Sequence, residues 1–358
     1  MMWKGLMRPM NASKSPRRKG RRWLYLLLII VSAAGLGAFL LYSIRLYRLK
    51  QETEAEIASR EYAQTQGSVL FRSGTVEYNG KSYRRNTHVK AILCLGVDRK
   101  GTMEGTTVPT FGGQADGIFV IAQDTARNTL KILMVPRDSM TEITLTDLSG
   151  NDLGKEVQHL TLAYAYGDGR ERSCELMTEA VSGLLGGLDI DHYIAANIEI
   201  INIMNDSVGG VTVTVPSAGM EKRDSAFKEG ATVTLHGEQA EAFVRYRDIQ
   251  ETHSAIFRMS RQQEYITQFF GVVKQKAARD SKIVTDLLEQ AEDYMVTDMG
   301  KEEYLKVALD ALEMERLAPE DFYVVPGQAV MTEVYDEFHV NREALIPILL
   351  ELFYREAS

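Results

Sequence analysis

The sequence predicts an α/β fold: an α-β-α sandwich around a central mixed sheet, preceded by one N-terminal transmembrane helix. Three observations lead there. Short β-branched apolar runs alternate with longer segments of helical periodicity. Two of those runs, Val89–Val97 and Gly117–Gln123, are nearly continuous, as strands covered on both faces must be. And the 22 residues from Trp23 to Ile44 carry no charged side chain.

That uncharged run would span about 33 Å as a helix, at roughly 1.5 Å per residue, against a hydrocarbon core of about 30 Å. Its length favours an uncleaved anchor over a signal peptide, whose apolar region is about 7–15 residues. Eight basic side chains and no acid precede it in residues 1–22. The positive-inside rule therefore expects a basic cytoplasmic arm (1–22), a membrane helix (23–44) and everything later outside. Residues 45–73 read as an extracytoplasmic stalk, helix-forming over 45–64, and 74–358 as the folded domain.

Asn79-Gly80, between TVEY and KSYRR, predicts a hairpin near 74–85. Strands are expected at Val89–Val97, Gly117–Gln123, Leu130–Val135, Asp191–Asn197, Val211–Val215 (ended by Pro216) and Phe322–Val325. Helices are expected at Ser173–Leu185, Ile198–Val208, Gly237–Phe243 and Met259–Lys274, and near 282–294, 301–313 and 342–355.

Composition narrows the function classes. The chain of 358 residues is 45% hydrophobic and 25% charged, which excludes disordered and low-complexity architectures. Its net charge of −8 becomes −16 once the eight-charge arm is set aside, an acidic body unsuited to nucleic acid. Two cysteines, Cys94 and Cys174, cannot build a thiolate zinc site; two separate thiols or one disulfide both fit. His88, His159, His236 and His253 lack metal-ligand spacing. Tyr164 and Tyr166 read as packing residues. No GxSxG elbow, P-loop or GxGxxG fingerprint occurs.

Chemistry is sought where polar residues abut buried strands, because ligands in open α/β folds bind outside strand ends. Asp98 and Arg99 follow one strand, Asp116 opens another, and Arg137-Asp138 end a third. Arg245 and Arg247 share a side if the chain is extended there. Arg258, Arg261 and Gln262 share one helix face. Guanidinium groups bond phosphate in a planar, bidentate way, and Asp98 and Asp116 offer hard oxygens for Mg²⁺. Singly, each arginine could instead be a surface ion pair.

In these stretches the sequence resembles the LytR–CpsA–Psr family of bacterial cell-envelope proteins, from about residue 86 onward. The matching motifs are AILCLGVDRK, QADGIFVIAQDT, KILMVPRDS, LAYAYGDG, IDHYIAANIEIINIMNDSVGGVTVTVP, LHGEQAEAFVRYR and FRMSRQQ. The resemblance implies a Mg²⁺-dependent phosphotransferase outside the membrane. It would move a glycopolymer (teichoic acid, capsule or another wall polysaccharide) from undecaprenyl pyrophosphate to the C6 hydroxyl of N-acetylmuramic acid in peptidoglycan.

By motif position Asp98 and Asp116 would hold Mg²⁺, and Arg99, Arg137, Arg245, Arg247 and Arg258 would line the pyrophosphate site. Arg261 and Gln262 would complete that site. Asp98 is the first choice of base, with Asp138 second. The lipid tail would lie in an apolar groove between sheet and helices. Gln114 and Ala255 depart from the family pattern, and the loop 99–115 is long. A polyprenyl-pyrophosphate hydrolase and a non-catalytic binder of the lipid-linked polymer are the alternatives. A transcription attenuator fits poorly with an acidic domain across the membrane from DNA.

Overall fold

The computed structural model describes Phe71 and residues 75–106, 112–246, 254–314, 316–332 and 336–357. These lie in the second of two compact units, Gln66–Ser358, the first being Met1–Thr65. The expected arm, membrane helix and most of the stalk fall outside the described residues. Among the described residues no helix is long and apolar enough to cross a membrane. Phe71, expected in the stalk, is buried against the Tyr354 ring, so the folded domain reaches back past residue 74.

The domain opens with the expected hairpin, β1 (Thr75–Tyr78) and β2 (Lys81–Arg85), turned by Asn79 and Gly80 at φ 51° and 73°. Positive φ at both central residues is what an Asn-Gly turn supplies. Next come β3 (Val89–Val97), β4 (Ala115–Asp124) and β5 (Thr129–Met134). Ala91, Ile92 and Leu93 are all fully buried, as a strand covered on both faces requires. A hairpin the sequence reading lacked follows, β6 (Met140–Thr146) and β7 (Asp152–His159). Its second strand is mostly exposed and polar, so no apolar alternation marks it.

Helix α1 (Glu171–Leu184) buries Cys174, Met177, Val181 and Leu184 at helical spacing against the sheet. Strand β8 (His192–Asn197) leads to α2 (Glu199–Ser207), then β9 (Val211–Thr214) pairs with the unanticipated β10 (Thr232–Leu235). Helices α3 (Glu238–Arg245), α4 (Ser254–Ala277) and α5 (Lys282–Ala291) follow. Then come β11 (Met295–Thr297), α6 (Lys301–Glu313), β12 (Phe322–Val324) and the exposed hairpin β13 (Gly327–Met331) and β14 (Asp336–Val340). Helix α7 (Arg342–Phe353) stops two residues before its expected end, because Tyr354–Glu356 pairs with β2 as β15.

One mixed six-stranded sheet, ordered β11-β8-β3-β4-β5-β12, forms the centre. β3 runs parallel to β8 and antiparallel to β4, and β12 runs parallel to β5. Helices α1 and α7 cover one face. The other packs against α4 and α6. A satellite core joins the β9–β10 hairpin to α3, α4 and α5. The expected sandwich is therefore present, with four small sheets added to the central one.

Asn205 ties the satellite core together. It is fully buried; its Oδ1 accepts from the Val211 N–H at 3.1 Å and its Nδ2 donates to the Leu235 carbonyl at 2.8 Å. Removing it strands two buried backbone groups. Asn205→Ala is expected to lower the unfolding free energy by about 2–3 kcal/mol, read by urea titration.

Candidate active site

The site begins with a fault in the sheet. Gly96 pairs with Gly117 and Val97 with Ala115, so Asp116 is the extra residue of a β-bulge. A bulge re-aims a side chain, and here it turns a carboxylate toward the residue that follows β3, Asp98. The strands keep ordinary spacing at the fault: a Cβ on Gly96 would lie 3.6 Å from the Gly117 nitrogen, a normal contact. The Asp98 N–H donates to the Gln114 carbonyl at 2.8 Å, closing the neck of the intervening loop.

Arginines from three elements converge on these carboxylates. Arg137, after β5, bonds Asp116 through Nη1 and lies 3.3 Å from Asp138 through Nε. Arg245, the last residue of α3, sets Nη2 2.5 Å from Asp98 Oδ1 and 3.9 Å from Asp116 Oδ2. Arg258, on α4, is 6% exposed and lines the same space. Burial alone would lower the Arg137 guanidinium, but Asp116 and Asp138 outweigh it and hold its pKa above the ordinary value.

Two cavities meet at this cluster. One, of about 250 Å³, is apolar and lies between β3, β4 and β8 on one side and α2, α3 and α4 on the other, with Cys94, Phe119, Ile194, Ala196 and Ile266 in its wall. The other, of about 400 Å³, is polar and is lined by Lys100, Arg137, Arg223, Glu238 and Glu241 among others. Asp116, Arg245 and Arg258 belong to both walls. An amphiphile with a charged junction matches that division.

The structure thus brings together Asp98, Asp116, Arg137, Arg245, Arg258 and Gln262. Arg247 lies outside the described residues. Arg245 closes a helix rather than lying in extended chain, so the expected extended pair is corrected at its first member; Tyr246 (φ −50°, ψ 132°) is the residue at which the helix ends. Arg99 turns elsewhere: its Nη1 donates to the Glu104 carbonyl at 2.6 Å, and its neighbour Lys100 lines the polar cavity instead.

Arg261 shares the expected helix face but is spent on backbone. Its Nε donates to the Phe243 carbonyl at 2.8 Å and its Nη2 to the Tyr246 carbonyl, capping the C-terminus of α3. Burial, reinforced by nearby Arg258, pushes its guanidinium down to about 10, so it stays charged at neutral pH. Arg261 therefore sets where α3 ends and Arg245 begins.

Other groups take quiet roles. Cys94 and Cys174 are separate free thiols, and burial pushes Cys94 up to about 12, far from nucleophilic. Tyr164 is fully buried and donates to the Gly169 carbonyl at 2.9 Å, a packing residue as expected. Near it Gly112 and Gly169 touch: a Cβ on Gly112 would meet the Gly169 Cα at 2.6 Å, which fixes the far end of the loop after β3. The sequence reading missed Lys100, Arg223, Glu238 and Glu241. For Glu241 a signal existed, its position four residues before Arg245 on one helix.

The model of the LytR_cpsA_psr family matches residues 46–346. The chain belongs to this family. Among curated relatives, the polyisoprenyl-teichoic acid–peptidoglycan teichoic acid transferase TagU of Halalkalibacterium halodurans is 28% identical over 187 residues, 52% of this chain and 53% of the relative. The chain thus spans about half the length of the curated relatives it matches. Solved structures share the fold. Bacillus subtilis TagV gives a TM-score of 0.55 at 21% identity, over 74% of this chain and 97% of that one. TagT bound to LI-WTA also gives 0.55, at 20% identity, over 74% and 90%. The family resemblance read from the motifs is confirmed, and the mixed α/β fold with it.

Replacing Arg261 by Lys keeps the charge but loses the fork that reaches two carbonyls. Arg261→Lys is expected to cost about 2–3 kcal/mol of stability. Amide hydrogen exchange is expected to accelerate at the end of α3, which checks that the loss is local capping.

Proposed function

We propose that this protein is a membrane-anchored glycopolymer phosphotransferase of cell-wall assembly. It takes a polymer linked to a polyprenyl pyrophosphate and passes it to a peptidoglycan hydroxyl, the C6 hydroxyl of N-acetylmuramic acid, as a phosphodiester. The observation that carries this reading is the junction of an apolar and a polar cavity at one cluster of arginines and carboxylates. The lipid tail enters the apolar cavity, the pyrophosphate sits on Arg137, Arg245 and Arg258 with Gln262 beside them, and the polymer occupies the polar cavity. The names of the teichoic acid transferases it resembles support the same class of reaction.

The residues fit a divalent cation. Asp98 and Asp116 both approach one guanidinium nitrogen, so two hard oxygen donors converge on a single cation position. Among the described residues no three acidic, histidine or cysteine side chains form a cage. Mg²⁺ is commonly held by one or two carboxylates together with substrate phosphates, and when bound it neutralises phosphate charge.

The chain's own groups supply the rest. The acceptor oxygen attacks the phosphorus that bears the sugar. Its bond to the bridging oxygen breaks, and polyprenyl phosphate leaves. Alignment and charge neutralisation dominate such a transfer. Arg137 and Arg258 are buried enough to act in a low dielectric. The hydroxyl proton goes to Asp98, whose side chain is 47% exposed, whereas Asp138 is 14% exposed and turned to Arg137. The domain works outside the membrane, tethered by residues 23–44 with the basic arm in the cytoplasm.

The test uses the full chain in detergent with a short lipid-linked pyrophosphate glycan, peptidoglycan oligomers and Mg²⁺, read by mass spectrometry. An acceptor heavier by a glycan phosphate is expected, lost in Arg137→Ala and Asp98→Ala and on chelation. Lipid monophosphate without adduct would indicate hydrolysis, and intact bound donor a binding protein. Ala196→Trp, which fills the apolar cavity, is expected to raise the donor KM by about tenfold or more while sparing a donor that lacks the tail, since buried tail contacts contribute about 0.8 kcal/mol per CH₂.

A further inference from the structure

Arg245 is the only arginine of the cluster that ends a helix, and its side chain is 31% exposed, so packing alone does not fix its direction. Two residues outside the expected site hold it. Glu241, one turn earlier on α3, accepts from Arg245 Nη1 through Oε1 at 3.0 Å. Asn202, on α2, grips Glu241 twice: its Oδ1 accepts from the Glu241 N–H at 3.0 Å, and its Nδ2 donates to Glu241 Oε2 at 3.3 Å. The N-cap of α3, Gly237, offers no side-chain acceptor, so Asn202 provides an acceptor to the first turn from a neighbouring helix.

We propose that Asn202 and Glu241 form a positioning pair that aims Arg245 at the donor's pyrophosphate; this rests on the function proposed above. A guanidinium is a rigid planar fork, so tying Nη1 sets the plane of the whole group. With Nη1 on Glu241, Nη2 lies between Asp98 and Asp116. The division of labour follows from this geometry. Phosphate oxygens displace the carboxylates from the Nη2 edge, while Glu241 stays on the opposite edge in both states. Glu241 is 15% exposed, so its ion pair is screened less than one on open surface. Without it Arg245 would keep one bond to a half-exposed carboxylate and rotate about it.

Two measurements on the full chain in detergent micelles test the pair. The first reads geometry without any substrate, by NMR of the labelled Arg245 guanidinium. Separate, slowly exchanging Nη signals are expected in the wild type. They should average in Glu241→Ala and Asn202→Ala and return in Glu241→Gln, which keeps an oxygen on Nη1. The second is transfer kinetics. Misplacing a reacting group by about 1 Å can cost about hundredfold, so kcat is expected to fall at least about tenfold in Glu241→Ala. The donor KM should change less than about threefold, and Gln should recover most of the loss. In an Arg245→Lys background the Glu241→Ala change should add little.

Guanidinium signals that are unaltered in both alanine variants would overturn the pair. So would equal losses in Ala and Gln, which would make charge rather than aim the cause. If Glu241→Ala fails to fold, Asn202→Ala carries the same comparison. A wild type that shows no transfer would overturn the proposed function, while the NMR arm still judges the positioning.

Discussion

Charges drawn out of bulk water need partners, and at one end of the central sheet that requirement holds a whole cluster of side chains together. Arg137 and Asp116, partly buried, face each other there, and removing either would take from the other its nearest opposite charge. Asp116 reaches that position because β4 bulges by one residue, between Gly117, which pairs with Gly96, and Ala115, which pairs with Val97. The local irregularity of the sheet is thus a condition of its charge balance. Arg137 and Arg245 both rest on carboxylates of this cluster.

Two cores share the task of assembling the cluster. The sheet contributes Asp98, Asp116 and Arg137 from strand ends, while the satellite core contributes Arg245 and Arg258 from helices. Side chains on helices of a second layer arrive with a register set by that layer's own packing. That explains why so many polar ties cluster there: Asn205 between α2 and the β9–β10 hairpin, Arg261 on the end of α3, Asn202 on its first turn. Each is a hydrogen bond to backbone, and backbone position is what these ties fix.

Much of this was legible in the sequence, and the gaps have physical causes. Strands β3, β4 and β5 are apolar on both faces and announced themselves within two residues. The hairpins β6–β7 and β13–β14 did not: β7 and β13 lie largely in water and keep no apolar alternation, and β6 buries threonines beside Ile143 rather than an apolar run. Strand ends led to Asp98, Asp116 and Arg137, which the fold brings together. Helical spacing led to Arg258 and Gln262, but spacing cannot separate a guanidinium facing a cavity from one that caps the next helix, and Arg261 does the latter. Arg99 and Lys100 are adjacent, and only the course of the loop decides which of them reaches the cavity.

The two cavity walls have different origins in the chain. The apolar wall is drawn from the central strands and the helices packed on them, where any change in volume disturbs the core. The polar wall owes Lys100, Arg223 and Glu238 to a loop, a short turn and the exposed start of a helix. Substitution is cheap in those segments and expensive in the strands. The polar wall can therefore drift in surface segments while the apolar wall stays the same. Sister chains that keep one wall and vary the other are the outcome such a partition favours.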